Sequence, residues 1–380
     1  MNKALAVFTM ASAVLGLEGV HFAFAQQGPK KETGETVARP RRKDAPSQPE
    51  AEQLKIPSKL KKKEGAAPTE GLATFKSDVA TVGVEVAVLD KNGRFIPGIP
   101  RGNFRILEDG VPQQVSSFQM GEAPMTVCLV IEFSNLFQQY WSSGWYETLT
   151  AAYGFLETLK PEDYVAVVAY DLRSEILSDF STDKRQAQEA MQRLRIAAYS
   201  ESNLYDALVD TSDRMSEIEG RKAIVLIASG IDTFSKLTFD KTRKALQNAN
   251  VPIYAIGIMQ AMREWMDARG YLGPIARLDF LQADNQMRTF AKETGGQAYL
   301  PRFFGEFPGI FRSVHEALRN QYSLAYQPTN QARDGKFRKI KVELVNPATN
   351  EPLRVVDEKG KPMKYSVIAK PGYTAPREVE

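Results

Sequence analysis

Residues Thr126-Val-Cys-Leu-Val-Ile-Glu132 run straight into Phe133-Ser-Asn-Leu136. Val127–Ile131 contains no polar residue, which suits a strand covered on both faces. Four further apolar runs follow, at Val165–Tyr170, Ala223–Ala228, Ile253–Ile258 and, shorter, Gln297–Leu300. Helical spacing fills the gaps, over Trp145–Leu159, Lys184–Arg195, Asn203–Glu217, Asp240–Asn248 and Asn285–Glu293. Pro161, Gly220 and Gly295-Gly296 supply stop signals. Strand and helix in alternation predict a parallel sheet between two helix layers. Residues Met259–Ala283 are longer than an ordinary connection and read as a partly helical insertion near the rim of the sheet.

On either side the apolar period changes from helical to two. Val82, Val84, Val86 and Val88 alternate with smaller or polar residues, and Asn92-Gly93 and Asp109-Gly110 are hairpin signals. Tyr322, Leu324 and Tyr326 alternate likewise, as do Ile340, Val342 and Leu344, with Asp334-Gly335 as a turn between them. Neither β segment holds enough core to stand alone. The expected fold class is therefore α/β: a doubly wound, mainly parallel, Rossmann-like sheet, inserted in or flanked by a small antiparallel β-sandwich built from both terminal segments, with two independent β units as the alternative. The expected boundaries are 73–122 for the N-terminal β segment, 123–319 for the α/β domain and 320–376 for the C-terminal β segment.

The 380 residues are 43% hydrophobic and 25% charged, ordinary values for a globular chain, and their length suits roughly two domains. Lys3, the apolar run Ala4–Leu17 and Ala23-Phe24-Ala25 read as a signal peptide over residues 1–25, so a periplasmic or extracellular destination is expected. Residues 26–72, rich in Pro, Lys, Glu and Gln, read as a disordered basic linker. Between Gln26 and Glu70 there are 11 Lys/Arg and 7 Asp/Glu, so this segment accounts for the net charge of +3 and the rest is near neutral. The remainder carries no electrostatic footprint for nucleic acid. The linker's basic clusters suit weak contact with anionic envelope polymers. Cys128 is the one cysteine, so no intrachain disulfide forms, and a buried inert thiol is expected.

Few enzyme chemistries have their parts. Beyond His21 the only histidine is His315, and with one Cys this excludes a Cys/His zinc site. G-x-S-x-G, G-x-G-x-x-G and P-loop motifs are missing, so no small-molecule cofactor is expected. Ligands of parallel α/β sheets bind beyond the carboxyl ends of the strands. Glu132, Ser134 and Asn135 follow one strand, Ser229-Gly-Ile-Asp232 follows another, and Ser200-Glu-Ser-Asn-Leu-Tyr-Asp206 opens a helix beside them. Gln138-Gln-Tyr-Trp-Ser-Ser-Gly-Trp-Tyr146 reads as an aromatic loop directly after the site, which places Tyr140, Trp141, Trp145 and Tyr146 with Asn135 as candidate partner contacts; the alternative is that these aromatics cap the insertion or start the first helix.

The stretch 124–318 resembles a von Willebrand factor type A (vWA) domain. The landmarks are Leu159-Lys-Pro-Glu-Asp-Tyr-Val-Ala-Val-Val-Ala-Tyr-Asp171, Asn203-Leu-Tyr-Asp-Ala-Leu208, Arg221-Lys-Ala-Ile-Val-Leu-Ile-Ala-Ser-Gly230 and Glu293-Thr-Gly-Gly296. Val88-Leu-Asp-Lys-Asn-Gly93, Phe104-Arg-Ile-Leu-Glu-Asp-Gly110 and Lys370-Pro-Gly-Tyr373 look like a secreted bacterial vWA-related family first described in acidobacteria. The resemblance implies a metal-ion-dependent adhesion site of the form Asp-x-Ser-x-Ser, then Thr, then Asp. In this chain those positions read Glu132, Ser134, Leu136, Ser202 and Ser229, with Asp232 three residues beyond the last. Leu136 offers no oxygen, Glu132 carries its carboxylate one methylene further out, and Ser229 lacks a charge. The implied ligand set is degenerate: Glu132, Ser134, Ser202, Ser229 and Asp232 would hold Mg²⁺, Mn²⁺ or Ca²⁺ weakly, and no cofactor is certain. The expected function is an exported, non-enzymatic interaction or adhesion module that binds a protein partner of the envelope or extracellular space. The alternative is a hydrolase of envelope glycan using Glu132 and Asp232 as acid and base.

Overall fold

The computed structural model describes residues 81–377, apart from 92–93, 121–122, 195–198, 272 and 357–359. The side chains of 136–145, 147, 274–276 and 304 are likewise not described. The signal-peptide and linker readings at 1–72 therefore lie outside the described residues, as do the side chains of Leu136, Tyr140, Trp141 and Trp145.

The first strands are β1 (Val82–Asp90), β2 (Phe104–Glu108), β3 (Val111–Gln113) and β4 (Val115–Met120). The α/β part follows with β5 (Met125–Glu132), α1 (Asn135–Thr158), β6 (Tyr164–Tyr170), β7 (Ser174–Ser181), α2 (Lys184–Gln192) and α3 (Leu204–Ser216). It continues through β8 (Arg221–Ala228), α4 (Phe239–Ala249), β9 (Ile253–Gly257), α5 (Met259–Asp267), α6 (Pro274–Thr294), β10 (Ala298–Tyr299) and α7 (Phe307–Asn320). The chain closes with β11 (Tyr322–Tyr326), β12 (Phe337–Leu344), β13 (Val355–Val356), β14 (Pro362–Met363), β15 (Tyr365–Ala369) and β16 (Gly372–Thr374).

The central sheet has the order β10-β9-β8-β5-β6-β7 and is parallel except for the β6–β7 pair. All eight residues of β5 are buried, because helices cover both faces: α1, α2 and α7 on one side, α3, α4 and α6 on the other. Two four-stranded antiparallel sheets, β15-β1-β11-β4 and β16-β12-β2-β3, interleave strands from both ends of the chain. Their facing apolar residues, among them Val84, Val86, Ile106, Leu324 and Ile340, make one common core. This is the expected fold class, a mixed and mostly parallel α/β sheet with added antiparallel sheets.

Three readings need correction. α1 starts at Asn135 rather than at Trp145, so Gln138–Tyr146 belongs to a helix and not to a loop. Ser142-Ser143-Gly144 looks like a break, but one helical glycine costs only about 1 kcal/mol. β7 was not among the expected strands, since Ser-Glu-Ile-Leu-Ser-Asp-Phe-Ser has no apolar run and its first three residues are exposed. α6 begins at Pro274, eleven residues before the expected start, so the last ten residues of the supposed insertion are the front of that helix.

Candidate functional site at the carboxyl rim of the sheet

Strand β5 ends at Glu132, and its parallel neighbours β6 and β8 end beside it at Tyr170 and Ala228. This alignment brings three loops to one place. Phe133 N donates to Tyr170 O (2.7 Å), Asn135 N to Tyr199 O (2.6 Å), and Thr233 N and Phe234 N to Ser202 O (2.8 and 3.0 Å). The Glu132–Asn135, Tyr199–Asn203 and Ser229–Ser235 segments are thus knitted by backbone hydrogen bonds.

Glu132 lies at their centre and is only 1% exposed. Ser134 Oγ donates to its Oε1 (2.9 Å). Its Oε2 accepts from Ser229 N (2.7 Å) and more weakly from the Tyr170 hydroxyl (3.4 Å). The extra methylene carries the carboxylate across to the β8 end, where a backbone donor meets it. Burial raises its proton affinity, and the hydrogen bonds from Ser229, Ser134 and Tyr170 oppose that rise. Tyr170 titrates well above its ordinary range, first from burial and then from the neighbouring Glu132 charge.

Ser202 is fully buried; its hydroxyl reaches the vicinity of the Tyr170 phenol but has no hydrogen-bond partner of good geometry. Ser229 Oγ accepts from Ile231 N (3.1 Å). Asp232 is occupied elsewhere: its Oδ1 accepts from Tyr205 N (3.2 Å) and from Ser235 Oγ (2.5 Å), so it caps the amino end of α3. Burial raises the Asp232 carboxyl, with those hydrogen bonds acting against it. The structure therefore gathers Glu132, Ser134, Ser202 and Ser229 around one point and turns Asp232 to a helix terminus. Tyr146 is exposed on α1, about 16 Å along the helix axis from Asn135, and away from the rim.

These residues do not fit a tightly held divalent ion. Ser202 Oγ is a buried orphan of the right kind. The one carboxylate, however, is already filled by three protein donors, and turning it to a metal would strand Ser229 N in the interior. Mg²⁺ demands near-ideal octahedral oxygen geometry. Among the described residues there is no group of three or more His, Cys, Asp or Glu that could hold a metal ion.

Two surface residues at the rim escaped the sequence reading. Tyr199 and Phe234, on two of the converging loops, are 48% and 59% exposed. Beside them, α5 leaves the carboxyl end of β9, and Ile258 N donates to Ala228 O (3.1 Å). Gly230, at φ +82°, lies so close to α6 that a Cβ there would stand 2.8 Å from Ala283 O. Trp265 on α5 and Tyr271 just past it are exposed with ring centroids 6.2 Å apart, and Arg269 lies 4.1 Å over the Trp265 ring. A lone aromatic in a polar loop gives no periodic signal, which is why the sequence did not single these out.

Residues 137–231 match the model of the von Willebrand factor type A domain, so the α/β part has a vWA-like fold. No curated protein matches the chain. Among solved structures, it is similar to proximal thread matrix protein 1 from the mussel byssus at 12% identity and a TM-score of 0.40, over 56% of this chain and 51% of that one. The chain thus spans about half the length of that protein. It is similar to the vWF domain of the type V pili tip protein Mfa5 from Porphyromonas gingivalis at 13% identity and a TM-score of 0.39, over 51% of this chain and 95% of that one. A von Willebrand factor type A protein from Catenulispora acidiphila shares 12% identity over 80% of this chain and 76% of that one, with a TM-score of 0.41. None of these structural likenesses bears on what this chain does.

Proposed function

We propose that the protein is an exported, non-enzymatic interaction module of the vWA kind. It binds a protein partner of the envelope or extracellular space through the carboxyl rim of its central sheet, without a metal ion. One observation carries this reading: the Glu132 carboxylate is buried and satisfied by Ser134, Ser229 and Tyr170, so hydrogen bonds within the chain hold the rim in shape. Its outer surface offers Tyr199 and Phe234, and α5, which leaves the same rim, carries the exposed Trp265. Tyr and Trp supply contact area at low entropic cost, as binding hot spots require.

A hydrolase reading finds less support, since the Asp232 carboxylate is committed to capping α3 rather than turned toward Glu132. The signal-like start and the acidobacterial-type flanking motifs motivate the export assignment.

The test is photo-crosslinking from positions 199 and 234 in intact cells, compared with a Tyr199→Ala/Phe234→Ala double variant in a pull-down. We expect one discrete crosslinked species and its loss from the variant's pull-down. Undiminished capture by the double variant would exclude the rim. Addition of EDTA is expected to leave capture unchanged, and abolition by EDTA would overturn the metal-free reading.

A further inference from the structure

A second concave surface lies away from the rim, between α1 and α7, with a volume of about 740 Å³. Its floor is the buried ring pair Phe155 and Phe311, with centroids 5.8 Å apart. Its α1 wall is made unusually low by Gly154, a glycine in the interior of a helix. Nothing lies within 4 Å of where a Cβ would stand at Gly154. Alanine or a larger residue would fit there and would favour the helix, so the missing side chain leaves space that the fold itself does not need.

The polar atoms of the wall are spent internally. Thr150 Oγ1 donates to Tyr146 O (2.8 Å) and Thr158 Oγ1 to Phe155 O (2.6 Å), so both threonines can offer methyl groups to the groove. A peptide added as a strand would need backbone partners that these threonines do not supply. Among the described residues of the lining the charged one is Arg312, which is exposed and has no ion pair among them. An apolar groove with one cation matches a ligand with one apolar body and one negative group. The chain's own basic segment, 11 Lys/Arg against 7 Asp/Glu over Gln26–Glu70, has the wrong sign to dock beside Arg312.

We infer that the α1–α7 groove binds a long-chain carboxylic acid, with its alkyl chain over Phe155, Phe311 and Gly154 and its carboxylate on Arg312. The volume lies within the range of small-molecule sites, about 300–1,000 Å³, and a guanidinium–carboxylate pair gives the head group its orientation.

The experiment is titration calorimetry of the full chain with dodecanoate below its micelle concentration, with dodecylamine as the chain-length control. We expect saturable one-to-one binding of dodecanoate and weaker binding of the amine. Arg312→Gln should weaken dodecanoate about tenfold, the loss of one charge-assisted pair. Gly154→Leu should abolish binding while its melting temperature equals or exceeds that of the parent. Equal affinity for the amine, unchanged binding in Gly154→Leu, or no heat with dodecanoate would each overturn the assignment. Saturation by an acidic amphipathic peptide with no response to dodecanoate would also overturn it, since the occupant would then be a protein helix. Should Gly154→Leu fail to fold, the Arg312→Gln titration and the amine control still decide.

Discussion

At the residue scale the chain turns on one carboxylate. Glu132 is held by Ser134 Oγ, Ser229 N and the Tyr170 hydroxyl. Removing it strands a buried backbone N–H, so Glu132→Ala is expected to lower stability by roughly 3 kcal/mol, read by chemical denaturation. A loss below ~0.5 kcal/mol would mean that water replaces the carboxylate freely. Glu132→Gln keeps an acceptor for Ser229 N and should cost less. The titration has a definite sign. Burial holds the carboxyl above its ordinary 4.5 in the fold. As pH rises through 4.5 the unfolded chain ionises first, so stability is present at low pH and declines until the folded group ionises. Relative to Glu132→Gln, the parent should therefore lose stability as pH climbs above about 4.5. Parallel pH curves for the two proteins would contradict this. The sequence placed the loops of Glu132, Ser202 and Ser229 at one end of the sheet, where hydrogen bonds join them. It did not reveal Asp232 as a cap for α3, because Asp at that spacing serves equally as a ligand or a turn residue.

At the element scale the glycine pair after α6 shows how tightly the layers are set. Gly295 ends α6 at φ +84°, the left-handed cap that only glycine adopts freely. At Gly296 a Cβ would stand 2.1 Å from Ile253 O in the backbone of β9. Gly296→Ala must push strand and helix apart, and a loss of about 3 kcal/mol or more is expected by thermal or urea unfolding. An unchanged melting curve would show that β9 yields. Strands with unbroken apolar runs were legible in the sequence because burial on both faces forces that pattern. β7 was not, since an edge strand needs apolar residues on one face at most. The start of α1 was missed because Ser142-Ser143-Gly144 has low helix propensity, a local signal that costs only about 1 kcal/mol for a helical glycine.

At the scale of the whole molecule, the two sandwich sheets exist only because both ends of the chain contribute. β1 pairs with β11 and β15, and β2 pairs with β12. Truncation after residue 361 removes β15 and β16, one partner each of β1 and β12, and the expected result is loss of the sandwich core with proteolysis inside 82–120. Resistance of that segment to protease would count against this. Lys370 ties the sandwich to the α/β part, its Nζ donating to Asn250 Oδ1 (2.6 Å) at the end of α4. Burial lowers its ammonium from 10.5 to about 8, and the Glu85 charge partly restores it. A depressed base leaves the folded chain penalised below 8, so stability should rise between pH 8 and 10.5, where only the unfolded lysine stays protonated. Lys370→Met should flatten that rise, and a slope that survives the substitution would assign it to other groups.

The sequence by itself determined the α/β alternation, the polarity of its five main strands and the period-two flanks. These follow from which side chains each backbone geometry can bury, and that is a local, repeating constraint. Only the tertiary structure decided that Glu132 meets a donor 97 residues away at Ser229 and another 38 away at Tyr170. The same holds for Tyr199 and Phe234 sharing one rim and for Gly154 opening a groove against α7. Such meetings depend on strand register and loop course, which no run of neighbouring residues encodes.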